Sequence, residues 1–334
     1  MPTFPGDPVP SAASAEHPAG FAFVAGAKPV LMLTAADVAV HLAPRALIDA
    51  LEAGFGWLER GEVQAPPRPQ VRLGDRGYSL TMSAWRPGMR LTVKVVNVFE
   101  GNHALGLPSH QALISLYDEE TGAPVCVMDG AGITGARTAA AAMVSVRHLS
   151  RPDARIATVV GAGVQAREHL RMLPFVRDFE RINVCSRHPS HANALATGSV
   201  LAEARADLEA AVRESDVVCL TTSAPLPVID ADWIKPGAHV CSVGHQSSRG
   251  ELPAELVERH RLFVETLDAF RPAPVGCGEL AGLDPSRGTT LGALALGLRP
   301  GRLTSDEITV YKAMGNAMED MVAANLVYGL ASTV

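Results

Sequence analysis

The stretch that decides the fold reads Arg155-Ile-Ala-Thr-Val-Val-Gly161-Ala-Gly163-Val-Gln-Ala166. Its first half is a continuous apolar run, typical of a buried parallel strand, and a helix is predicted to follow over residues 164–174. Strands and helices then alternate, with strands predicted over residues 181–186, 216–221, 238–243 and 262–264, and a helix over residues 190–197. This alternation indicates βαβ units and therefore an α/β domain with a doubly wound parallel sheet.

The glycines after the apolar run form the pattern GxGxxA, which is typical of dinucleotide-binding Rossmann domains when it joins a strand to a helix. Gly161 allows a tight turn, Gly163 lets the backbone approach a pyrophosphate, and Ala166 lets the helix pack closely. Val164 and Gln165 complete the first helical turn, whose free N–H groups and positive dipole end favour phosphate. The alternative is a glycine-rich turn that binds no ligand.

The end of the following strand distinguishes the two nicotinamide cofactors. An acidic residue there binds the ribose 2′-hydroxyl of NAD, but residues 184–188 contain no carboxylate. Ser186 and Arg187 instead suit a 2′-phosphate, because a guanidinium pairs with phosphate and stacks on adenine. The sequence therefore favours NADP(H), with NAD(H) possible, unless Arg187 is simply a solvated loop charge.

Polar and small residues follow two further strands at the same edge of the predicted sheet. Thr221, Thr222 and Ser223 end one strand, and Val243 and Gly244 end the next. Doubly wound folds bind ligands at this carboxyl edge, so these residues are predicted to line the ribose and nicotinamide pocket. The alternative is that either segment is an ordinary polar turn that lines no pocket.

The N-terminal part of the chain has a different pattern. Residues 1–28 are rich in Pro, Ala and Gly, and we expect a flexible tail there. Beyond them, Thr34 is predicted to cap a helix, a second helix follows, and residues 305–330 are also predicted to be helical. A short strand is predicted at residues 30–33. A mostly antiparallel domain is predicted over residues 68–128, with strands at 70–73, 78–85, 90–99, 111–117 and 125–129.

Three basic residues are candidates for chemistry. Lys94 lies in an apolar strand, where it is either a general acid or base facing a cleft or an edge-strand lysine extending to water. Arg137 precedes a helix predicted over residues 138–149, where a cation is unfavourable unless both face an anion. Arg68, held between prolines, is a second candidate anion ligand, although most arginines on a surface bind no substrate.

Composition narrows the class of protein. The net charge is −6 and aromatic residues make up 5% of the chain, which argues against nucleic acid as a partner. The five cysteines have no CxxC spacing, so we expect reduced thiols in a cytoplasmic protein and no structural metal site. No apolar run of about 18 residues is present, so no membrane span is predicted.

Seven segments of the chain resemble the ornithine cyclodeaminase/μ-crystallin family in order and spacing, and the resemblance covers about residues 30–330. They are Lys94-Val-Val-Asn, Gly106-Leu-Pro-Ser109-His, Asp118 through Pro124, Met128-Asp-Gly130, Thr134-Gly-Ala-Arg137-Thr-Ala-Ala140, Gly161-Ala-Gly163-Val-Gln-Ala166 and Asp306-Glu-Ile-Thr-Val-Tyr-Lys312-Ala-Met-Gly315.

The resemblance implies a homodimer that moves a hydride between a nicotinamide and the α-carbon of an amino or imino acid. A β-rich α+β domain, here residues 29–137 plus 300–334, would bind substrate and dimerise, and a Rossmann domain over residues 138–299 would bind NAD(P). The resemblance further implies that Arg68 and Arg137 bind the substrate carboxylate and that Lys94 lies near the reacting nitrogen. Ser109 stands where the family commonly has Thr.

One departure from the family pattern bears on the reaction. Ornithine cyclodeaminases carry Gly-Gly-Asp after the strand that here ends at Val243, and that Asp handles the second amine. This chain has Gly244-His245-Gln246 instead, and neither side chain replaces a carboxylate that must bind an ammonium group. His245 is a second candidate proton donor, although a turn histidine satisfied by its own contacts is the simpler interpretation.

We therefore expect an NAD(P)H-dependent reductase of ketimines or imino acids, such as Δ1-pyrroline-2-carboxylate to proline, or an amino-acid dehydrogenase. The alternative enzyme is an ornithine cyclodeaminase with recycled NAD. A protein that only binds NADP(H) or a small ligand, and a structural subunit, are the non-enzymatic alternatives.

Overall fold

The structure is a computed structural model that describes residues 29–245 and 249–333. The predicted tail over residues 1–28, and Gln246, lie outside the described residues. The described chain forms two compact units. The parallel-sheet unit contains residues 44–60 and 135–315, and the antiparallel-sheet unit contains residues 29–43, 61–134 and 316–333.

The helices and strands of the described residues are, in chain order, β1 (Leu31–Leu33), α1 (Ala35–His41), α2 (Pro44–Glu59), β2 (Gln70–Arg72), β3 (Tyr78–Ala84), β4 (Leu91–Val98), β5 (His110–Tyr117), β6 (Pro124–Asp129), α3 (Gly130–Leu149), β7 (Ile156–Val160), α4 (Val164–Met172), β8 (Arg181–Cys185), α5 (Pro189–Ala196), β9 (Ala202–Ala204), α6 (Leu208–Glu214), β10 (Val217–Leu220), β11 (His239–Ser242), α7 (Ala254–Arg259), β12 (Arg261–Val264), β13 (Gly288–Thr290), α8 (Leu291–Ala295), β14 (Thr309–Lys312) and α9 (Ala317–Ala331).

The parallel-sheet unit is built on a sheet whose described strands run in the order β13-β12-β14-β11-β10-β7-β8-β9. Every neighbouring pair in it is parallel. The strand order reverses at β7, since the chain continues to β8 and β9 on one side and to β10 and β11 on the other. This is the topological switch point of a doubly wound Rossmann sheet, so the predicted α/β fold class is confirmed.

The antiparallel-sheet unit has its described strands in the order β1-β6-β5-β4-β3-β2, with only the pair β1–β6 parallel. Side chains of β4 alternate along the strand, so that Thr92, Lys94, Val96 and Val98 are buried. Helix α9 packs against β3, β4 and β5. Asn316 and Glu319 form a capping box at its first turn, and Thr34 and Asp37 form another on α1, as predicted for Thr34.

Two predictions about secondary structure are wrong. Residues 305–330 do not form one helix, because the β-branched and aromatic residues of Thr309–Lys312 form the buried strand β14 between β11 and β12. The helix predicted from residue 138 begins at Gly130. Its glycines resemble a loop in the sequence but serve close packing, since a Cβ at Gly130 would lie 2.9 Å from the Cβ of Ala112.

The unit boundaries also differ from those expected. Residues 44–60 and 300–315 belong to the parallel-sheet unit, because α2 packs on α8 and β14 is a strand of the parallel sheet. Five short elements were not predicted from the sequence, namely β9, α6, α7, β13 and α8. Within residues 29–245 and 249–333, no helix is long and apolar enough to cross a membrane.

Candidate active site

The turn after β7 has the geometry that the glycine pattern predicts. Gly161 has φ 128°, and a Cβ there would lie 2.5 Å from Oγ1 of Thr221. Only glycine therefore fits at this position. Gly163 stands at the N-cap of α4 with open space around its α-carbon, and Ala166 is buried. The first N–H groups of α4 are thus placed to hold a pyrophosphate.

The end of β8 lies beside this turn, since the N–H of Gly161 donates to the Cys185 carbonyl over 2.8 Å. Ser186 follows directly and is half-buried, while Arg187 is exposed. The Ser186 hydroxyl oxygen accepts the N–H of His188 at 3.3 Å. Burial raises the pKa of the Cys185 thiol to about 11, so this cysteine is neutral and unsuited to nucleophilic chemistry.

The ends of β10 and β11 are joined by a carboxylate to which no role was assigned from the sequence. Glu251 is buried and accepts the N–H and hydroxyl of Thr222 at 2.6 and 2.8 Å. It also accepts the N–H of Gly244 at 2.7 Å and the hydroxyl of Ser242 at 3.0 Å. The predicted cofactor residues at the two strand ends are therefore brought together by one side chain. Nearer to β7, the Thr221 hydroxyl donates to the Val160 carbonyl at 2.8 Å.

The buried side chain of Lys312 contacts the same carboxyl edge of the parallel sheet. Nζ of Lys312 donates to Oε1 of Glu279 at 2.8 Å, to Oγ of Ser242 at 3.0 Å and to the carbonyl of Gly244. All of the ammonium donors are accounted for by these three acceptors. A lysine at the end of an apolar strand was the available sequence signal, but its partners lie at distant positions in the chain.

Arg137 is buried on α3 with 5% of its surface exposed. It lies in the third turn of that helix, so the argument from its position at a helix start is wrong. Gly315, with φ 78°, packs against it: a Cβ there would lie 2.7 Å from Nη1 of Arg137. Glu265 accepts the N–H groups of Met314 at 3.1 Å and Gly315 at 2.7 Å, which fixes this loop against the guanidinium.

Lys94 forms an ion pair inside the antiparallel-sheet unit. Its Nζ lies 2.7 Å from both carboxylate oxygens of Asp320 and 3.4 Å from Oγ1 of Thr134. Lys94 and Asp320 are each 1% exposed, so the alternative of an edge lysine extending to water is wrong. Asp320 was not predicted from the sequence. The available signal was an acidic pair, Glu319 and Asp320, inside an otherwise apolar helix.

The remaining predicted substrate residues also lie in the antiparallel-sheet unit. Arg68 precedes β2 and is half-buried. Burial raises the pKa of the Tyr78 phenol, and the Arg68 charge opposes that shift. Ser109 precedes β5, and its Oγ lies 3.0 Å from Nδ1 of His110.

In the parallel-sheet unit, Val243 donates its N–H to the Leu220 carbonyl at 3.1 Å, and His245 is half-buried.

The comparison with known proteins identifies the family. A profile of the ornithine cyclodeaminase/mu-crystallin family matches residues 29–333. This chain belongs to that family. It is 33% identical over 305 residues to the ketimine reductase mu-crystallin of Rattus norvegicus, covering 89% of this chain and 96% of the relative.

Solved structures of other proteins share the fold. The Δ1-pyrroline-2-carboxylate reductase of Thermococcus litoralis, in complex with NADH and L-proline, matches with a TM-score of 0.84 and 30% identity, over 90% of this chain and 97% of that chain. An archaeal alanine dehydrogenase dimer with bound NAD matches with a TM-score of 0.83 and 28% identity, over 91% and 97%. Both of these solved structures therefore hold a nicotinamide dinucleotide on the fold described here.

Proposed function

We propose that this protein is an NAD(P)H-dependent oxidoreductase that reduces the C=N bond of a ketimine or cyclic imino acid to give an α-amino acid. The observation that carries the proposal is the dinucleotide turn at Gly161 and Gly163, seated at the switch point of a parallel sheet. The relatives support it, because one is a ketimine reductase and another is a Δ1-pyrroline-2-carboxylate reductase. Δ1-pyrroline-2-carboxylate is accordingly the first substrate to test, with proline as the product.

The arginines are assigned to the substrate carboxylate. The buried guanidinium of Arg137 offers planar paired donors that match a carboxylate, and the Gly315 loop holds it in one position. Arg68 and Ser109 are assigned as further substrate contacts on the strength of their positions in the family pattern. Orienting the carboxylate in this way fixes the α-carbon for reaction.

Lys94 is assigned to the proton on nitrogen. When bound, NAD(P)H supplies the hydride that reduces the α-carbon. The nitrogen of the reduced substrate must then carry a proton, and an ammonium group paired with a buried carboxylate is a positioned proton source. Asp320 holds the Lys94 side chain in place at 2.7 Å.

NADP(H) is the proposed cofactor, with Ser186 and Arg187 as ligands of the 2′-phosphate. The solved relatives contain NADH and NAD, so the preference of this chain needs its own test. We expect Arg187→Ala to lower kcat/KM for NADPH at least about tenfold, as loss of a charge-assisted pair implies, and to leave NADH unchanged. Arg213→Ala is the matched control, because that exposed arginine forms an ion pair with Glu209 on the surface of α6. Equal losses with both cofactors would contradict the assignment.

A homodimer and a cytoplasmic location are also proposed. One face of the antiparallel sheet carries four exposed apolar side chains, Met32, Val71, Val95 and Leu113. Val95 and Leu113 are direct partners across β4 and β5, whereas Met32 pairs with Val127 and Val71 pairs with Ser79. An apolar face of this extent favours burial against a partner, and the alanine dehydrogenase relative is a dimer. Light scattering of wild type and of Val95→Lys tests this, with a monomeric variant expected.

The cysteines of the described residues are free and buried, which suits a reducing compartment.

The function is tested by following NADPH and NADH at 340 nm with Δ1-pyrroline-2-carboxylate and its six-membered homologue. L-ornithine with NAD and detection of ammonia is run beside it. NADPH oxidation with formation of proline is the expected result. Ammonia and proline from ornithine without a net absorbance change would assign a cyclodeaminase instead, and tight cofactor binding without turnover would assign a binding protein.

A further inference from the structure

Four buried polar side chains lie beneath the ends of β10 and β11. Glu251 is 1% exposed and Lys312 is fully buried, and both contact Ser242. Glu279 completes the group as the ion-pair partner of Lys312 at 2.8 Å. The chemistry assigned above to Lys94 and the arginines uses none of these side chains.

The group holds Gly244 from two sides. The Gly244 N–H donates to Oε1 of Glu251 at 2.7 Å, and its carbonyl accepts Nζ of Lys312. A Cβ at this position would collide with the Thr222 carbonyl and lie 2.8 Å from Oε1 of Glu251. Buried charged side chains therefore fix both the N–H and the carbonyl of Gly244, which lies just beyond the end of β11. No side chain fits at this position.

The same carboxylate fixes the end of β10. Oε2 of Glu251 accepts both the N–H and the hydroxyl of Thr222, at 2.6 and 2.8 Å. Thr222 and Gly244 follow neighbouring parallel strands, because β10 pairs with β11. Their separation is thus set by the two oxygens of one side chain.

A gain in folding stability does not explain why these charged side chains are buried together. Removing the charged side chains of Glu251, Lys312 and Glu279 from water is costly, and well-packed apolar side chains in place of buried charges are often neutral or more stable. Buried polar groups of this kind are instead associated with one specific conformation. Here the conformation that is specified is that of two loops at the ligand-binding edge of the sheet.

We propose that Glu251 and Lys312 are positioning residues that hold Thr222 and Gly244 in the shape required by the nicotinamide half of the cofactor. The inference rests on the proposed function in one respect, the binding of a nicotinamide dinucleotide. The assignment to the nicotinamide half follows from the sheet order. Ser186 and Arg187 follow β8 on one side of β7, whereas Thr222 and Gly244 follow strands on the other side.

Glu251→Gln tests the proposal with binding measurements. A glutamine nitrogen donates hydrogen bonds, so one of the two acceptor positions would face two donors. We expect the Kd of NADPH, from its fluorescence on binding, to rise about tenfold, which is about 1.4 kcal/mol. The Kd of adenosine 2′,5′-bisphosphate, which has no nicotinamide, should change less than twofold. Lys312→Met, which releases the Gly244 carbonyl, should give the same contrast and serves if Glu251→Gln does not fold.

Asp216→Asn is the matched control. Asp216 is a buried carboxylate of the same unit that accepts the N–H groups of Arg155 and Ile156 at 2.8 and 3.0 Å, at the amino edge of the sheet. It should leave the ratio of the two Kd values unchanged, whatever it does to thermal stability. Equal weakening of both ligands by Glu251→Gln and Lys312→Met, or no weakening, would overturn the proposal.

The outcome is separable from that of the proposed function. Wild type that binds NADPH but reduces no imino acid would refute the reductase and leave the binding test valid. Wild type that prefers NADH is tested in the same way with NADH and AMP. Wild type that binds neither dinucleotide would overturn both proposals.

Discussion

The two units bury charged groups in different ways. In the antiparallel-sheet unit, Lys94 and Asp320 join one side chain to another across 2.7 Å. In the parallel-sheet unit, Lys312 also pairs with a buried side chain, that of Glu279, but the buried charges there bind the backbone at strand ends as well: Glu251 binds Thr222 and Gly244, and Lys312 binds Gly244. The first arrangement fixes a side chain, and the second fixes the path of the main chain.

This difference separates the kinetic effects that substitutions should have. A charge that fixes loops alters how well a ligand is held, and its loss raises Kd or KM. A charged side chain that transfers a proton acts only in the transition state, and its loss lowers kcat. Substitutions can test that division, from the largest expected effect to the smallest.

Lys94→Met should lower kcat about 10²- to 10⁴-fold, the usual contribution of general acid–base catalysis. The Kd of NADPH should stay within twofold, because the backbone at the cofactor edge is unaltered. Steady-state kinetics and direct binding measure the two quantities. The double variant Lys94→Met/Asp320→Leu controls for an uncompensated buried carboxylate. A kcat within fivefold of wild type would contradict the assignment of Lys94 as the proton donor.

His239 should make the parallel-sheet unit sensitive to acid. It is fully buried between Ser145 and Thr309, at 3.0 and 2.9 Å, and burial lowers its pKa to about 3, with Arg302 and Arg177 acting in the same direction. The unfolded chain, with a pKa near 6.5 at this residue, binds a proton that the native state excludes. The free energy of unfolding therefore falls as pH falls from about 6.5 towards 3.

The expected loss from His239 between pH 6.5 and 5 is about 2 kcal/mol, at about 1.4 kcal/mol per pH unit. Urea unfolding at several pH values measures it. His239→Gln should have a shallower pH dependence than wild type, and His191→Gln, at an exposed position, should not. Parallel curves for wild type and His239→Gln would show that this histidine does not titrate on unfolding.

Gly315→Ala should raise KM for the imino acid about tenfold, or about 1.4 kcal/mol. The new methyl would lie 2.7 Å from Nη1 of Arg137, so the guanidinium must move. NADPH binding should not change. Gly297→Ala is a close control, since Gly297 also has positive φ, at 68°, but nothing lies within 4 Å of the position that its new methyl would take. Equal effects of the two variants would assign the loss to backbone strain alone.

The exposed pair Glu209–Arg213 should show the smallest effect. Both side chains are about half exposed, at 47% and 51%, and their 2.8 Å contact is screened by water. Arg213→Ala should change the free energy of unfolding by less than about 0.5 kcal/mol. A larger change in the free energy of unfolding, measured by chemical denaturation, would show that an exposed ion pair of this protein stabilises the fold as much as a buried one.

Local sequence predicted those features that depend on neighbouring residues. The turn at Gly161 and Gly163, the helix cap at Thr34 and the strand β4 were all found where predicted. Predictions failed where tertiary packing overrode the local signal. Residues 309–312 were predicted to be helical but form β14, because they are buried between strands formed by distant segments. The helix predicted from residue 138 begins eight residues earlier, at Gly130.

The sequence by itself determined the class of fold, the dinucleotide turn and the family, since each depends on residue types at short and fixed spacings. Only the tertiary structure decided the partners of the buried charges. Asp320 lies 226 positions from Lys94, and Ser242 lies 70 positions from Lys312. A buried charge is stable only beside a complementary group, and which group that is depends on how distant strands and helices pack, because spacing along the chain does not encode it.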